Sequence, residues 1–306
     1  MQHTLASAIN FHGIGLHSGA KVSVTLRPAL ADSGILFIRT DVTDRDNVIP
    51  ARWNYVVDTR LCTVIGNADR VTVGTIEHLM AALRGCGIDN AIIELDGSEV
   101  PVMDGSAAPF VDIIDDAGLQ VQEAPRRAIK ILKEISVEQD GKIVRLVPAI
   151  GSSFEGCIDF DHPSIGRQTY EIQLLNGNFR HDLADSRTFG FVHEVEALRK
   201  NGLALGGSLE NAIVLDNVSV LNKDGLRHYD EFIRHKLLDA IGYLYLAGSQ
   251  ILGAYEADKP GHAMNNAILR KLFATRDAWT MVDLFMDDHK AGYLNTSARA
   301  SSVAVA

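Results

Sequence analysis

The chain of 306 residues is poor in cysteine, has no long apolar run and carries no excess of basic charge. Its three cysteines, Cys62, Cys86 and Cys157, form no CxxC pair, which argues against a disulfide scaffold and indicates a reducing compartment. No apolar stretch approaches the ~20 residues of a membrane span, and the first residues do not resemble a signal peptide. We therefore expect a cytoplasmic protein. A formal charge of −10 argues against general nucleic-acid binding.

The composition, 46% apolar and 22% charged, is that of a globular protein with material for one large domain or two ordinary ones. Helical and strand-like patterns recur in the same order in both halves: helix, glycine-bearing turn, strand, loop, helix. The separation from His78 to Asp104 is 26 residues, and that from His235 to His262 is 27. This weak repeat predicts two similarly built α/β halves.

A short polar link at 124–127 predicts the boundary between these halves. We expect a first domain at 1–124, a second at 125–290 and a flexible tail at 291–306. The last six residues, Ser-Ser-Val-Ala-Val-Ala, leave two interpretations open: a degradation signal read by a regulatory protease, or a frayed terminus. We expect a monomer.

The stretch 230–239 contains His235 and Asp239 four residues apart, in a segment without glycine or proline. In an α-helix these two side chains project from one face, one turn apart. An imidazole and a carboxylate so placed are typical ligands of a divalent metal, most often zinc. A third ligand and a base must come from elsewhere in the chain.

A second helix is predicted from Thr75, as N-cap, to about Arg84, and it carries the adjacent pair Glu77 and His78. Neighbouring side chains on a helix point about 100° apart, so His78 could bind a metal while Glu77 reaches a water on it. A single histidine in a helix is more often an ordinary core or surface residue. The pairing with Glu77 and the parallel in the second half favour the ligand.

The segment Phe11-His-Gly-Ile-Gly-Leu-His-Ser-Gly19 holds three glycines and two histidines. It predicts a bent loop in which backbone could approach a ligand closely. A glycine-rich hairpin with incidental histidines is the other interpretation, and the sequence leaves both open.

Several segments occur together and in order: Thr75-Ile-Glu-His-Leu79, Met103-Asp-Gly-Ser-Ala-Ala-Pro-Phe110, Arg187-Thr-Phe-Gly-Phe191, Leu205-Gly-Gly-Ser208, Val220-Leu-Asn-Lys-Asp-Gly-Leu226, Glu231-Phe-Ile-Arg-His-Lys-Leu-Leu-Asp239 and Gly261-His-Ala-Met-Asn265. Together they resemble the zinc-dependent UDP-3-O-acyl-N-acetylglucosamine deacetylase family of lipid A (lipopolysaccharide) biosynthesis. The resemblance covers nearly the whole chain. It implies an α+β fold of two duplicated domains, with the helices sandwiched between outer β-sheets.

The resemblance also implies a Zn²⁺ site and the residues around it. The implied metal ligands are His78, His235 and Asp239. Glu77 is the expected general base, His262 the acid that protonates the leaving amine, and Thr188 a donor to the oxyanion. Lys236, next to His235, is expected to turn away from the metal and to face the substrate and anionic intermediates.

The implied substrate is a UDP-activated acylated amino sugar, and the resemblance assigns its contacts to three groups of residues. Lys142 and Lys259 are expected near the diphosphate, and Asp159 and Phe160 near the uracil. His17 is assigned to the substrate as well. The expected apolar passage for the 3-O-acyl chain is formed by Leu16, Phe189, Phe191, Ala204, Ser208 and Ala212.

In one position the chain departs from the family pattern, because Tyr243 stands where an aspartate usually orients the catalytic histidine. The Tyr243 hydroxyl, Asp258 or Glu256 could take over that hydrogen bond. Two other functions stay open from sequence: a metal-dependent amidase or esterase on another small substrate, and a metal-stabilised nucleotide-sugar binding module. The pair Glu77 and His262 argues against the binding module, because a structural zinc site needs neither.

Overall fold

A computed structural model describes residues 1–284 and confirms the predicted α+β class. The predicted end of the second domain at 290, the tail at 291–306 and the protease proposed to act on it lie outside these residues. The division of the chain at 124 stays a prediction. Within residues 1–284, no helix is both long enough and apolar enough to cross a bilayer.

The first part of the chain builds a five-stranded sheet of order β2-β3-β9-β4-β5, a three-stranded sheet β6-β7-β8 and a two-stranded pair β1-β10. Its elements are β1 (His3–Leu5), β2 (Ile9–Ile14), β3 (Lys21–Pro28), β4 (Ile35–Arg39), β5 (Val48–Pro50), β6 (Val56–Asp58), β7 (Val64–Gly66), β8 (Thr72–Val73), α1 (Glu77–Cys86), β9 (Ala91–Leu95), α2 (Ala108–Ala117) and β10 (Leu119–Val121), with a 3₁₀ turn at Trp53–Tyr55.

The second part builds a seven-stranded sheet in which β18 is parallel to β11 and β14 and antiparallel to β13. Its elements are β11 (Arg126–Ile131), β12 (Ile135–Gln139), β13 (Lys142–Val147), β14 (Ser152–Phe160), β15 (Gly166–Gln173), α3 (Phe179–Asp182), β16 (Phe189–Phe191), α4 (Val192–Lys200), β17 (Ile213–Leu215), α5 (Glu231–Leu244), β18 (Gln250–Asp258), α6 (His262–Ala274) and β19 (Trp279–Leu284), with a 3₁₀ turn at Tyr245–Ala247 after α5.

Period-two patterns in the sequence account for the strands. In β3 the side chains of Val22, Val24 and Leu26 are buried, while the intervening residues are exposed or half-buried. Such alternation places one face of a sheet on the core and the other towards water. Three helices pack on the two larger sheets: α2 on β2, α5 on β14 and β15, and α6 on β12 and β13.

Helices α1 and α5 cross in the centre of the molecule and carry the predicted metal ligands. Gly242 lies at the crossing, where an added Cβ would overlap the Glu77 carbonyl oxygen and lie 2.9 Å from the Ala81 nitrogen. The absence of a side chain there lets the two backbones approach closely. This close approach brings His78 and Asp239, which are 161 positions apart in the chain, to one place.

One local prediction was wrong, and for a second segment the structure decides between two interpretations. Thr75 is not the N-cap of α1: it has φ +55°, the helix begins at Glu77, and no side chain caps it. The Thr75 hydroxyl instead donates to the buried carboxylate of Glu99, 24 residues away (2.8 Å). The glycine-rich segment is part of a hairpin, the second of the two interpretations: β2 extends to Ile14, pairs antiparallel with β3 and leaves a turn at 15–19.

Candidate functional site

The imidazoles of His78 and His235 and the carboxylate of Asp239 form a buried cluster where α1 and α5 cross. One ligand atom from each side chain lies within 4.8 Å of the other two. Asp239 Oδ1 is 3.6 Å from His78 Nε2 and 3.5 Å from His235 Nε2. The i, i+4 spacing on α5 sets the second distance, whereas the first depends on the helix crossing.

The donor set of this cluster fits a zinc ion. His235 Nδ1–H donates to the Ser186 carbonyl (3.0 Å), which leaves Nε2 as the free lone pair facing the cluster. Asp239 Oδ1 is buried and has no hydrogen-bond partner among the described residues. Tetrahedral bonds of about 2.0–2.1 Å would separate two ligand atoms by roughly 3.4 Å, close to the spacings found here. An unsatisfied buried carboxylate oxygen between two imidazoles is what a cation would satisfy.

The protonation states of the cluster are set by burial and by mutual charge. Burial lowers the pKa of His235 to about 4. Burial acts to raise the pKa of Asp239, but the neighbouring imidazoles outweigh it and hold that pKa well below its usual value. For His78, burial lowers the pKa and the Asp239 carboxylate raises it, with a net rise. A metal ion would compete with a proton for the lone pair of His78.

Glu77 and His262 face each other beside this cluster. Glu77 Oε1 is 3.9 Å from His262 Nε2, and Glu77 Oε2 accepts a hydrogen bond from the Thr63 backbone N–H (3.0 Å). The Glu77 side chain is 4% exposed, so this hydrogen bond fixes a carboxylate that water hardly reaches. His262 opens α6, and its Nδ1 has no partner among the described residues.

A cavity of about 490 Å³, here termed the basic cleft, opens next to His262. Lys142, Lys236 and Lys259 line it, and Asp159 is its only carboxylate among the described residues. Phe160 also lines it, so every residue expected near the uracil or the diphosphate is brought together. Three lysines and an arginine against one aspartate give this cleft an excess of positive charge in a chain of net charge −10.

Lys236 does not turn away from the metal cluster as far as expected. Its Nζ lies 3.9 Å from Asp239 Oδ2 and 5.3 Å from the centre of the Phe189 ring. The i, i+3 spacing on α5 places the ammonium over the rim of the cluster, where it reaches both the carboxylate and the basic cleft.

A second cavity of about 460 Å³, here termed the apolar cleft, is bounded by α4 and the turn at 15–19. Thr188 lines it next to Phe189, whose ring packs edge-on against Phe160 (5.8 Å) and so separates the two clefts. The other predicted residues on its walls are Leu16, His17, Ala204, Ser208 and Ala212. Phe191 is not on these walls: its ring packs against Phe160, His162 and His193 instead.

Tyr243 is fully buried, and burial raises its pKa. Neither its hydroxyl nor His262 Nδ1 has a hydrogen-bond partner among the described residues, so the two groups are not bonded to each other. Asp258 Oδ1, one of the groups considered as a substitute, is equally unpartnered. Because His262 Nδ1 has no partner, neither Tyr243 nor Asp258 nor Glu256 replaces the expected hydrogen bond to the imidazole within the described residues.

Sequence reasoning missed the segment between β6 and β7. Arg60 and Leu61 line the basic cleft, and the Thr63 N–H holds Glu77. The Arg60 guanidinium is bound to Asp58 (Nη2–Oδ2 2.5 Å) and is largely exposed. The segment Asp58-Thr-Arg carries no motif, and only the packing of the small sheet β6-β7-β8 beside α6 brings it to the site.

A buried group of two histidines and one carboxylate, with a carboxylate and an imidazole at its side, is typical of metal-dependent hydrolases. The family model described as UDP-3-O-acyl N-acetylglycosamine deacetylase matches residues 2–274. The chain belongs to this family.

Proteins named UDP-3-O-acyl-N-acetylglucosamine deacetylase match along almost their full length. The relative from Phenylobacterium zucineum (strain HLK1) is 50% identical over 287 residues, which cover 94% of this chain and 98% of the relative. That from Shewanella violacea is 48% identical over 283 residues, covering 92% of each chain. That from Pasteurella multocida (strain Pm70) is 47% identical over 292 residues, covering 95% of each.

Proposed function

We propose that this protein hydrolyses the N-acetyl group of UDP-3-O-(3-hydroxyacyl)-N-acetylglucosamine, releasing acetate and the free amine, as the committed step of lipid A biosynthesis. The supporting observation is a metal-ligand cluster beside Glu77 and His262, with a basic cleft lined by His262 and an apolar cleft whose Phe189 ring lies 6.4 Å from the His235 ring. A diphosphate, an acyl chain and an amide would each find matching chemistry there. The three unpaired cysteines accord with the cytoplasm as its location.

His78, His235 and Asp239 would hold Zn²⁺. When bound, the ion would supply Lewis acidity, which lowers the pKa of water towards neutral pH and polarises the amide carbonyl. The ligand side chains are 3–5% exposed, so the site around them is nearly dry. Low exposure strengthens every electrostatic interaction made with the reacting atoms.

Glu77 is the proposed general base, and it takes a proton from the attacking water on Oε1. Its other oxygen is held by the Thr63 N–H, so the base has one free oxygen and one fixed orientation. His262 Nε2, 3.9 Å from the same oxygen, gives a proton to the departing amine. The Thr188 hydroxyl and the Lys236 ammonium are the proposed donors to the negative charge that develops on the carbonyl oxygen.

The two clefts would bind the two ends of the substrate. Lys142, Lys259 and Arg60 attract the diphosphate, and the Phe160 ring offers a stacking face for uracil. The acyl chain would occupy the apolar cleft, whose far wall is formed by α4. Phe189 lies between the two clefts, and the reacting sugar would lie next to its ring.

The central test measures zinc content together with acetate release from the proposed substrate, with and without a chelator. Glu77→Gln should keep its zinc and lose at least about 100-fold in kcat, the usual contribution of a general base. Glu94→Gln, the same change in an ion pair with Arg27, is the matched control and should act as wild type. Absence of both zinc and acetate would rule out the proposal. Acetate release from simple acetamides but not from the UDP-sugar would favour an amidase of other specificity.

Binding of UDP by calorimetry tests the basic cleft without turnover. Arg60→Gln should weaken UDP binding by up to about fivefold, the value of an exposed charge, and the effect should decline at high salt. Arg27→Gln removes another arginine from an exposed ion pair outside the cleft and should leave binding unchanged.

A further inference from the structure

Glu99 is a buried carboxylate that the mechanism does not use. It is 5% exposed, and the donors to its oxygens are uncharged hydroxyl and backbone N–H groups. Four donors surround it instead. Oε1 accepts from the Thr75 hydroxyl (2.8 Å) and the His17 N–H (2.9 Å), and Oε2 from the Ser18 N–H (2.9 Å) and hydroxyl (2.7 Å). Burying a carboxylate is costly unless such bonds compensate it.

These bonds join two segments on either side of the site. Thr75 lies two residues before Glu77 and has a left-handed backbone (φ +55°). The Gly74 N–H donates to Ser98 O (2.9 Å), which holds this backbone beside the residue that precedes Glu99. On the other side is the turn at 15–19. At Gly15 an added Cβ would overlap the Glu99 carboxylate, so the turn can close on Glu99 only with glycine there.

The turn at 15–19 continues to the opposite wall of the apolar cleft. The Leu205 N–H donates to His17 O (3.2 Å), and the Gly206 N–H donates to Leu16 O (3.0 Å). Leu16 and His17 line the cleft, and both ring nitrogens of His17 are buried without a partner among the described residues. The bond from the His17 N–H to Glu99 therefore holds the backbone from which this polar ring projects.

We propose that Glu99 is a positioning residue for acyl-chain specificity: it fixes the Leu16–His17 wall of the apolar cleft relative to the helix that carries Glu77. This inference rests on the proposed function. The carboxylate touches neither the metal cluster nor the basic cleft, so zinc binding and UDP binding do not depend on it. This role also explains the glycine-rich segment 11–19, because Gly15 lets the turn approach the Glu99 carboxylate.

Glu99→Gln tests this role because the amide keeps the size but turns an NH₂ group towards two donors. One buried backbone N–H loses its acceptor and one hydroxyl must rotate to accept from the amide, so the turn should shift. We expect KM for a long-chain 3-O-acyl substrate to rise about tenfold, with less than about a twofold change for the substrate without the acyl chain. Ser18→Ala removes one of the four bonds and should show a smaller effect in the same direction. Glu94→Gln is again the control for the chemical change.

Amide hydrogen exchange gives a readout independent of turnover. Exchange in Glu99→Gln should accelerate at 15–19 and 204–206 and stay at the wild-type rate in α1, with zinc content and UDP affinity unchanged. Equal loss on both substrates, loss of zinc, or unchanged exchange at 15–19 would overturn the inference. If the wild-type protein hydrolyses neither substrate, the proposed function is refuted. Hydrogen exchange at 15–19 would still test whether Glu99 holds the turn, because that measurement needs no turnover.

Discussion

Replacing Gly242 with alanine is expected to separate α1 from α5 and to weaken metal binding. The new Cβ would overlap the Glu77 carbonyl oxygen and lie 2.9 Å from the Ala81 nitrogen, both of them backbone atoms. A rotamer change cannot relieve such contacts, so the helices must move apart by on the order of 1 Å. The displaced segment carries His78, one of the three proposed ligands.

The magnitude follows from two opposing effects. Alanine in place of glycine in a helix interior stabilises by about 1 kcal/mol when space is available. Overpacking costs about 1–3 kcal/mol, and contacts with backbone place this site at the upper end. We expect a net loss of about 2 kcal/mol in the free energy of unfolding. Zinc tolerates errors of only about 0.2 Å in its ligand distances, so zinc stoichiometry should fall together with turnover.

The assay combines zinc analysis, calorimetric melting of the chelated and reloaded protein, and kcat with the proposed substrate. Gly74→Ala is the matched control, because its Cβ would meet the nearest atom at an ordinary 3.5 Å. A Gly242→Ala protein that melts as wild type and binds one zinc would refute the reasoning about the helix crossing.

Three further outcomes follow from the described residues. Tyr243→Phe removes a buried hydroxyl without a partner and should raise stability by about 1 kcal/mol in denaturant unfolding. Burial acts to raise the pKa of Glu231, but hydrogen bonds from Arg187 outweigh it and lower that pKa below its ordinary 4.5. The Glu231 contribution to stability is thus complete above pH 4.5 and lost as pH falls through the lower folded value. Glu231→Gln should cost about 3 kcal/mol at pH 7 and less below pH 4. Burial raises the pKa of the Cys62 thiol to about 12, so alkylation at pH 8 should be roughly 1000-fold slower than in the unfolded chain.

Each of these outcomes has a control within the chain. Tyr255→Phe removes a hydroxyl that donates to Asn265 (2.6 Å) and should destabilise where Tyr243→Phe stabilises. Glu94→Gln should leave the pH profile of stability nearly unchanged. Cys157 is less buried than Cys62 and should be alkylated faster in mass-spectrometric mapping. Equal alkylation of the two thiols, or a pH-independent cost of Glu231→Gln, would contradict the assigned causes.

The sequence predicts those parts of the site whose geometry depends only on neighbouring residues. Once the segment is helical, the side chains of His235 and Asp239 must project in the same direction, because a helix places residues four apart on one face. Period-two alternation predicted strands such as 21–26 and 142–147 for the same kind of reason. The joint order of the motifs identified the family before any contact was known.

Other parts of the site depend on packing between distant segments, and no local pattern encodes them. The distance from His78 to Asp239 requires a glycine at a helix crossing, and the support of Glu77 comes from a backbone N–H on a small sheet. Thr75 illustrates the limit: its residue type predicted a helix cap, but a carboxylate 24 residues away offers its hydroxyl a stronger, buried, charged acceptor. Sequence alone determined which chemical groups are available and which helical face holds them. Tertiary structure decided which groups meet, because contacts across the core are selected by the packing of whole elements and not by neighbours in the chain.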